Sequence, residues 1–149
     1  MIRKALFSGS FDPFTIGHNS IVQRGLTLFD ELIVAVAINS EKQTLFSLDE
    51  RLSFLKQLYA HEKRIFVSSY AILTVDYAHQ CGVHFILRGV RHLIDFEYEK
   101  NMASMNKKMA GLETVFLFSE PEFAFISSTL IRDFIYHQKN ISHLIPQIK

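Results

Sequence analysis

One uninterrupted apolar run, Leu-Ile-Val-Ala-Val-Ala-Ile at residues 32–38, limits the folds open to this chain more than any other feature. A strand with one face in water alternates apolar and polar residues, whereas this run is apolar at every position. Such a run is typical of a strand covered on both faces in a parallel sheet. The other predicted strands are residues 5–7, 65–67, 85–87 and 114–118.

Helical patterns separate the predicted strands, as crossovers between parallel strands require. Apolar spacing predicts helices over about residues 17–29, 48–61, 75–81, 95–109 and 130–137. Ser47 and Glu50 form a capping-box pattern at the start of the second helix, and Gly111 ends the fourth. Right-handed βαβ units of this kind build a doubly wound, Rossmann-like sheet of five parallel strands. We predict a single α/β domain spanning residues 1–149, with a short helical tail from about residue 138.

A loop with two glycines follows the first predicted strand. Gly-Ser-Phe-Asp-Pro at residues 9–13 and Gly17-His18 lie between this strand and the first helix. Gly9 allows a sharp turn and close approach of a ligand, and His18 falls where the free N–H groups of a helix N-terminus attract phosphate. Any α/β connection uses glycine and proline, and a histidine at a helix start is usually solvated. The order of the residues favours a phosphate site.

Composition limits the classes of partner and the cellular locations that we expect for this chain. Sixteen Lys and Arg against fifteen Asp and Glu give a formal charge of +1, so the chain lacks the basic field of a nucleic-acid binder. The single cysteine, Cys81, excludes an internal disulfide. The apolar stretch near the N-terminus is too short for a signal peptide, and the longest apolar run is too short to span a bilayer. We expect a soluble cytoplasmic protein with neither a nucleic-acid nor a membrane partner.

Charged and hydroxyl side chains follow several predicted strands. Arg88-Gly89-Val90-Arg91 places two guanidinium groups around one glycine, where both can reach one polyphosphate. The carboxyl ends of parallel strands meet at one edge, so we expect Lys42 and Ser127-Ser128-Thr129 to lie near these arginines. Solvent exposure and helix capping are the alternative interpretations. Glu99 can accept from ribose hydroxyls or hold an arginine in place.

A methionine stripe on the fourth predicted helix has two interpretations. Met102, Met105 and Met109, with Phe96 and Ala103, recur at helical spacing. Such a stripe indicates core or a subunit seam, and less often the wall of a site for a flexible ligand.

Together these motifs resemble the bacterial phosphopantetheine adenylyltransferases over about residues 4–137. The residue 9–13 motif with Gly17-His18 is the pattern of nucleotidyltransferases at large. The matches that point to this member are Lys42, Arg88-Gly89-Val90-Arg91, Asp-Phe-Glu-Tyr-Glu at residues 95–99, Asn106 and Ile126-Ser127-Ser128-Thr129.

The resemblance implies transfer of an adenylyl group from ATP to 4′-phosphopantetheine, giving dephospho-coenzyme A and pyrophosphate in the penultimate step of coenzyme A biosynthesis. The resemblance also implies that the reaction uses magnesium, for which no protein ligand is assigned. It further implies a homohexamer, and it leaves open whether coenzyme A inhibits the enzyme. The resemblance assigns catalysis to His18, Lys42 and Arg91. It assigns binding of the acceptor to Ser10, Lys42, Thr74 and Arg88. The implied ATP-binding residues are Ser10, Phe11, His18, Gly89, Val90, Arg91, Glu99, Phe123, Ala124, Phe125, Ile126, Ser127, Ser128 and Thr129.

Three positions depart from the family's pattern. Ser10 replaces the commoner Thr, Thr74 stands where an apolar residue is frequent, and Tyr136 stands where an Arg is frequent. The last two leave the pantetheine-arm contacts and a feedback site open. Two other functions also stay open: a nucleotidyltransferase with another phosphorylated acceptor, such as nicotinate mononucleotide or glycerol 3-phosphate, and a catalytically silent nucleotide-binding module. An NAD-dependent dehydrogenase is disfavoured, since no Gly-x-Gly-x-x-Gly follows the first strand.

Overall fold

The computed structural model describes residues 1–149 and contains one sheet of five parallel strands. The strands are β1 (Lys4–Gly9), β2 (Glu31–Ala37), β3 (Ile65–Tyr70), β4 (Phe85–Val90) and β5 (Glu113–Phe118). Their order is β3-β2-β1-β4-β5, so the chain begins at the centre, winds to one edge and then crosses to the other. This arrangement confirms the predicted doubly wound α/β fold.

Five α-helices connect or follow the strands. They are α1 (Ile16–Gly25), α2 (Leu48–Leu58), α3 (Thr74–Gln80), α4 (Leu93–Ala110) and α5 (Ser128–Tyr136). Thr15, Ser47 and Ser127 cap α1, α2 and α5, each side chain accepting from a backbone N–H three residues ahead. Gly111 ends α4 with a φ of 69°. None of these helices combines the length and the apolar character that crossing a membrane requires.

Both faces of the sheet are covered, as the apolar run in β2 predicts. Leu32, Val34 and Val36 belong to a core shared with α1 and α2. Ile33 and Ala35, which alternate with them, belong to a second core shared with α3. Successive residues of a strand point to opposite faces, so a strand between two helical layers must be apolar throughout.

Two strands extend further than predicted. The predicted end of the third strand at residue 67 is wrong, because Ser68 and Ser69 pair with β2 and β3 continues to Tyr70. Arg88 likewise lies within β4, opposite Phe116 of β5, and not in a loop. Ladder hydrogen bonds join backbone groups, so polar side chains can continue a strand whose neighbours hold it.

The first helix is shorter than predicted because it ends where it meets the sheet. A Cβ at Gly25 would lie 2.6 Å from Cδ2 of the buried Leu87. Beyond that point the N–H groups of Thr27 and Leu28 bond to carbonyls three residues back, which tightens the turn. Phe29 is buried as predicted, although it lies in this turn and not in the helix.

Helix α4 buries none of its 18 residues. Met102, Met105 and Met109 are 42%, 53% and 64% exposed. The interpretation of this stripe as core of the chain is therefore wrong, and a seam between subunits or a ligand wall remains. The three methionines lack the partners that would bury them within one chain, whereas Phe96 packs 5.7 Å from Phe116 of β5.

The segment after α5 packs back against α5 and the residues before it. It contains a short 3₁₀-helix at Ser142–Leu144. Leu144 forms a small apolar cluster with Ile126 and Ile131. The cluster holds α5 and the segment before it against the end of the chain.

Candidate active site

A cavity of about 600 Å³ opens at the carboxyl ends of β1 and β4. These strands flank the point where the strand order reverses, which is where ligands of doubly wound sheets bind. The walls come from the β1–α1 loop and α1, the loop after β2, the end of β4 with the start of α4, and residues 119–132. Segments distant in the sequence thus meet around one space.

His18 lies in the wall of this cavity as the third residue of α1. The backbone N–H of Thr15 donates to Nδ1 of His18 at 3.0 Å, so Nδ1 acts as an acceptor. Burial, followed by the charges of Arg91 and Arg88, lowers the pKa of His18 from 6.5 to about 3. The imidazole is therefore neutral at pH 7, and its one proton is on Nε2. The ring offers a hydrogen-bond donor and not a cation.

Aromatic rings fix the plane of the imidazole. The rings of Phe11 and Phe14 each lie 5.1 Å from that of His18, and Phe11 also packs 5.4 Å from Phe7. Phe11 has a φ of 48°, in the left-handed region that non-glycine residues rarely adopt. This packing, with Phe11 only 3% exposed, holds the loop in that conformation.

Lys42 and Ser10 meet at the mouth of the cavity. Nζ of Lys42 donates to Oγ of Ser10 at 3.1 Å, although the two residues come from different loops. Both line the cavity. An ammonium and a hydroxyl placed together can bind one phosphate group as paired donors.

Arg88 is held from two directions. Its Nε and Nη2 donate to the two carboxylate oxygens of Glu99 at 2.8 and 2.7 Å, and its Nη1 donates to the Ser8 carbonyl at 2.8 Å. A bidentate pair with a third anchor fixes the guanidinium plane and leaves one N–H on each Nη for a ligand. Of the two roles that the sequence left open for Glu99, the structure shows the second: the carboxylate holds an arginine.

Arg91 is less constrained than Arg88. Its Nε lies 3.5 Å from Asp95 Oδ2, and its Nη1 donates to the Ile126 carbonyl at 3.4 Å. Its side chain is about a third exposed, so the guanidinium can turn toward an anion in the cavity. Arg91 and Arg88 thus place two positive charges in the cavity that His18 also lines.

The start of α5 closes the opposite wall. The Ser127 hydroxyl accepts from the N–H of Leu130 as the helix cap, and Ser128 Oγ donates to the Pro13 carbonyl at 2.8 Å. Arg132 reaches back to donate to the Asp12 carbonyl at 2.8 Å and to Thr129 Oγ1 at 3.1 Å. Two helix N-termini, those of α1 and α5, therefore flank one cavity.

A second cavity of about 300 Å³ adjoins the first and shares Arg88, Tyr98 and Glu99 with it. Its remaining walls are mostly apolar. They are Leu73, Thr74, Val75, Ile86, Met102, Ala103, Met105, Asn106, Met109 and Thr114. Thr74 shares a hydrogen bond of 2.9 Å with the Tyr70 hydroxyl, which accounts for a polar residue at this apolar position.

Most of the residues singled out from the sequence line these two cavities. Those in the larger cavity are Ser10, Phe11, His18, Lys42, Arg88, Gly89, Arg91, Glu99, Phe123, Ile126, Ser127, Ser128 and Thr129. Thr74 lies in the smaller cavity only. Val90, Ala124 and Phe125 line neither cavity, and the Val90 side chain is buried. None of these three side chains therefore reaches a ligand in either cavity.

Sequence reasoning gave no role in the site to six polar residues of the larger cavity: Ser8, Thr15, Asp95, Tyr98, Ser119 and Arg132. Asp95 and Tyr98 lie within the residue 95–99 match but were not assigned to the site. Arg132 follows Ser128 by four positions, a spacing that places both on one face of α5 and could have indicated it. Asp95 precedes Glu99 by the same interval on α4. No comparable signal exists for Ser119, which follows the end of β5.

Comparisons with known proteins agree with this geometry. The model of the cytidylyltransferase-like family matches residues 6–134. Phosphopantetheine adenylyltransferases from Bacteroides fragilis and Bacteroides thetaiotaomicron are 47% and 48% identical over 146 residues, 98% of this chain and 97% of each relative. The structure of a bifunctional NMN adenylyltransferase/ADP ribose pyrophosphatase from Francisella tularensis superposes with a TM-score of 0.77 at 12% identity. The alignment covers 100% of this chain and 46% of that one, and it shows a shared fold.

The parallel sheet, the helix N-termini at its switch point and the matched family model define a nucleotidyltransferase of the cytidylyltransferase-like family. At 47–48% identity over nearly the whole length of both relatives, the chain belongs within it to the phosphopantetheine adenylyltransferases.

Proposed function

We propose that this protein transfers the adenylyl group of ATP to 4′-phosphopantetheine, releasing pyrophosphate and forming dephospho-coenzyme A, the penultimate step of coenzyme A biosynthesis. One observation carries the proposal: His18, Lys42, Arg88 and Arg91 converge on one cavity that continues into a narrower apolar one. The larger space suits a triphosphate and a second phosphate. The smaller suits an uncharged arm.

The reaction needs positioning more than activation. The phosphate oxygen of the acceptor is already a nucleophile, so no covalent intermediate on the protein is required. The cost lies in bringing two polyanions together and in stabilising charge on the α-phosphate during transfer. The cationic side chains and helix N-termini around the larger cavity offset the repulsion between the two polyanions and stabilise the charge on the α-phosphate.

His18 acts in this proposal as a neutral donor. Its Nδ1 is occupied by the Thr15 N–H, so Nε2–H is free to bond to an oxygen of the α-phosphate. A preorganised donor of this kind stabilises the charge that develops in the transition state without a proton transfer. The depressed pKa keeps the ring in this form across the physiological pH range.

The remaining catalytic and binding roles follow from the contacts. Ser10 and Lys42 bind the acceptor phosphate as a pair of donors. Arg88, fixed by Glu99, contacts the acceptor where the two cavities join. Arg91 turns toward the nucleotide phosphates. Phe11, Gly89 to Arg91 and residues 123–129 surround ATP, and Val90, Ala124 and Phe125 would do so through backbone groups. Glu99, which the resemblance assigns to ATP, acts instead by holding Arg88.

Magnesium fits the residues present when it arrives with the nucleotide. The structure holds no group of three or more His, Cys, Asp or Glu side chains that could bind a metal alone. Mg²⁺ commonly binds through substrate phosphates and water with one or two carboxylates. Asp95 lines the larger cavity and would supply such a carboxylate. When bound, the ion neutralises phosphate charge.

The smaller cavity would hold the pantetheine arm. Its methionines can adapt to a flexible chain, and Asn106 and Thr74 offer hydrogen bonds to amide groups. The Thr74 hydroxyl is shared with Tyr70, so the pair presents one polar group where an apolar residue is common in the family. Inhibition by coenzyme A would use the same space and can be tested by adding it to the assay.

The exposed face of α4 supports association with further copies of the chain, and the homohexamer is the assembly that the family resemblance implies. Eighteen residues without a buried side chain, including three exposed methionines, form a surface that a second copy can cover. Sedimentation equilibrium of the purified chain tests this proposal, and the mass of a single chain would contradict it. A cytoplasmic location remains a prediction.

The direct test is incubation of the protein with Mg²⁺, ATP and 4′-phosphopantetheine, followed by detection of dephospho-coenzyme A. Parallel reactions with nicotinate mononucleotide and with glycerol 3-phosphate test the alternative acceptors. Pyrophosphate release that depends on either of these and not on phosphopantetheine would overturn the acceptor. ATP binding without turnover on any acceptor would indicate the silent module.

A further inference from the structure

Asp12 has contacts that the proposed chemistry does not use. Its side chain is buried, with the residue 1% exposed. Its two carboxylate oxygens accept from the backbone N–H groups of Leu45 and Phe46, at 2.9 and 2.8 Å. Nη1 of Arg132, at 3.9 Å, is the cation nearest the carboxylate. A buried carboxylate thus ties the loop after β1 to the loop after β2.

Arg51 makes a second tie between the same regions. It is 8% exposed, and its Nη1 donates to the Ser10 carbonyl at 2.7 Å while its Nε donates to the Ser47 carbonyl at 3.3 Å. It has no carboxylate partner within 4.0 Å. Because the buried guanidinium of Arg51 donates to two carbonyls and to no carboxylate, it fixes the backbone and is not part of an ion pair.

Both ties join Ser10 or its neighbour Asp12 to the part of the chain that follows Lys42. Residues 38–43 are all exposed, and Lys42 has a long side chain with many rotamers. The Ile38 N–H donates to the Tyr70 carbonyl at 2.8 Å and anchors the loop at its beginning. Asp12 anchors it at its end. The place of the ammonium therefore depends on where these two anchors hold the backbone.

We propose that Asp12 is a positioning residue for Lys42: its carboxylate sets the loop after β2 at the distance from Ser10 at which the ammonium and the hydroxyl bind one phosphate together. The assignment rests on the proposed function for the identity of that phosphate. Arg51 supports it by fixing the backbone of Ser10. If Asp12 had only a structural role, its substitution would lower the stability of the fold without selectively weakening acceptor binding.

A double-mutant cycle separates the two roles. The dissociation constant for 4′-phosphopantetheine is measured by calorimetry in the wild type, Asp12→Asn, Lys42→Ala and the double variant. Asp12→Asn replaces one acceptor oxygen by a donor that faces a backbone N–H. We expect it to weaken binding about tenfold when Lys42 is present and less than about twofold in the Lys42→Ala background. Equal factors in both backgrounds would overturn the proposal.

Ser47→Ala is the matched control. It removes the side-chain cap of α2 at the end of the same loop and lowers stability, yet it leaves the Asp12 contacts intact. We expect its effect on acceptor binding to be under about twofold. A loss equal to that of Asp12→Asn would assign the effect to stability and overturn the proposal.

Hydrogen exchange of the Leu45 and Phe46 amides provides a measurement independent of the substrate. Exchange should accelerate in Asp12→Asn and stay unchanged in Lys42→Ala; unchanged exchange in Asp12→Asn would overturn the proposal. Asp12→Glu, which keeps the charge and displaces it by one methylene, replaces Asp12→Asn if the latter does not fold. A wild type that neither binds nor adenylylates phosphopantetheine would overturn the proposed function alone, because the exchange result still tests the tie.

Discussion

The backbone N–H of Thr15 donates to Nδ1 of His18 at 3.0 Å, while the His18 N–H donates to the Thr15 hydroxyl at 3.1 Å. This reciprocal pair is a capping box in which an imidazole takes the place usually held by a glutamate or glutamine. The contact that starts the helix is therefore the contact that sets the tautomer of the candidate catalytic residue. Helix capping and site chemistry share one side chain.

Replacing His18 with alanine should reduce kcat about 10²- to 10³-fold, equivalent to about 2.7–4 kcal/mol, because a preorganised donor to the transition state is lost. Steady-state kinetics with the proposed substrates measures the change. His79→Ala is the control: His79 contacts the Ala110 carbonyl at 3.1 Å away from both cavities, and its loss should leave turnover unchanged. Unchanged turnover in His18→Ala would remove His18 from its proposed role.

The imidazole of His18 should make stability depend on pH. Burial and then the two arginines lower the pKa of His18 to about 3, whereas the unfolded chain binds a proton near pH 6.5. Stability from this group is therefore complete above pH 6.5 and falls as the pH drops from 6.5 toward 3. Thermal unfolding between pH 7 and pH 4 should show a shallower fall in Tm for His18→Asn than for the wild type. Parallel curves would contradict the depressed pKa.

Glu99→Gln should raise the KM for the acceptor about tenfold with little change in the KM for ATP. The substitution replaces one of the two oxygens that hold Arg88 with a donor, and one lost charge-assisted hydrogen bond is worth about 1.5–3 kcal/mol. Glu97→Gln is the matched control, since Glu97 is exposed on the same helix and lines neither cavity. A rise confined to the KM for ATP would place Glu99 with the nucleotide instead.

Gly25→Ala should destabilise the fold by about 1–3 kcal/mol, because its Cβ would lie 2.6 Å from Leu87 Cδ2 and 3.2 Å from Leu32 Cδ1 in a filled core. Gly17→Ala in the same helix is the comparison. Its Cβ would meet nothing nearer than 3.4 Å, so stability should hold or rise by about 0.5–1 kcal/mol. Urea unfolding measures both. Equal effects of the two variants would show that core packing at Gly25 is not limiting.

The class of fold could be predicted because it depends on local patterns. The continuous apolar run at Leu32 to Val36 requires two covering layers, and the caps at Thr15 and Ser47 mark helix starts within four residues of sequence. The ends of β3 and β4 could not be predicted. Ser68 and Arg88 look like loop residues until a neighbouring strand pairs with them.

The meeting of distant loops in one cavity also followed from the sequence, since parallel strands place all their carboxyl ends at one edge. Its internal contacts did not. The ties from Asp12 to Leu45 and from Arg132 to the Asp12 carbonyl join segments that no sequence pattern relates. Likewise, the sequence showed Thr74 as a departure from the family, and only the fold reveals its partner Tyr70.

Arg88 stands at the boundary of the two cavities, together with Tyr98 and Glu99 of α4, and beyond this boundary different parts of the chain line the two spaces. Helices α1 and α5 face one space, while α3 and the middle of α4 face the other. A substitution in α3 or in the middle of α4 thus changes the lining of the smaller cavity and replaces no residue of the larger one. Evolution could therefore change the molecule that receives the nucleotide while keeping the machinery that delivers it, and an inhibitor seated in the acceptor side would meet the part of the enzyme free to vary.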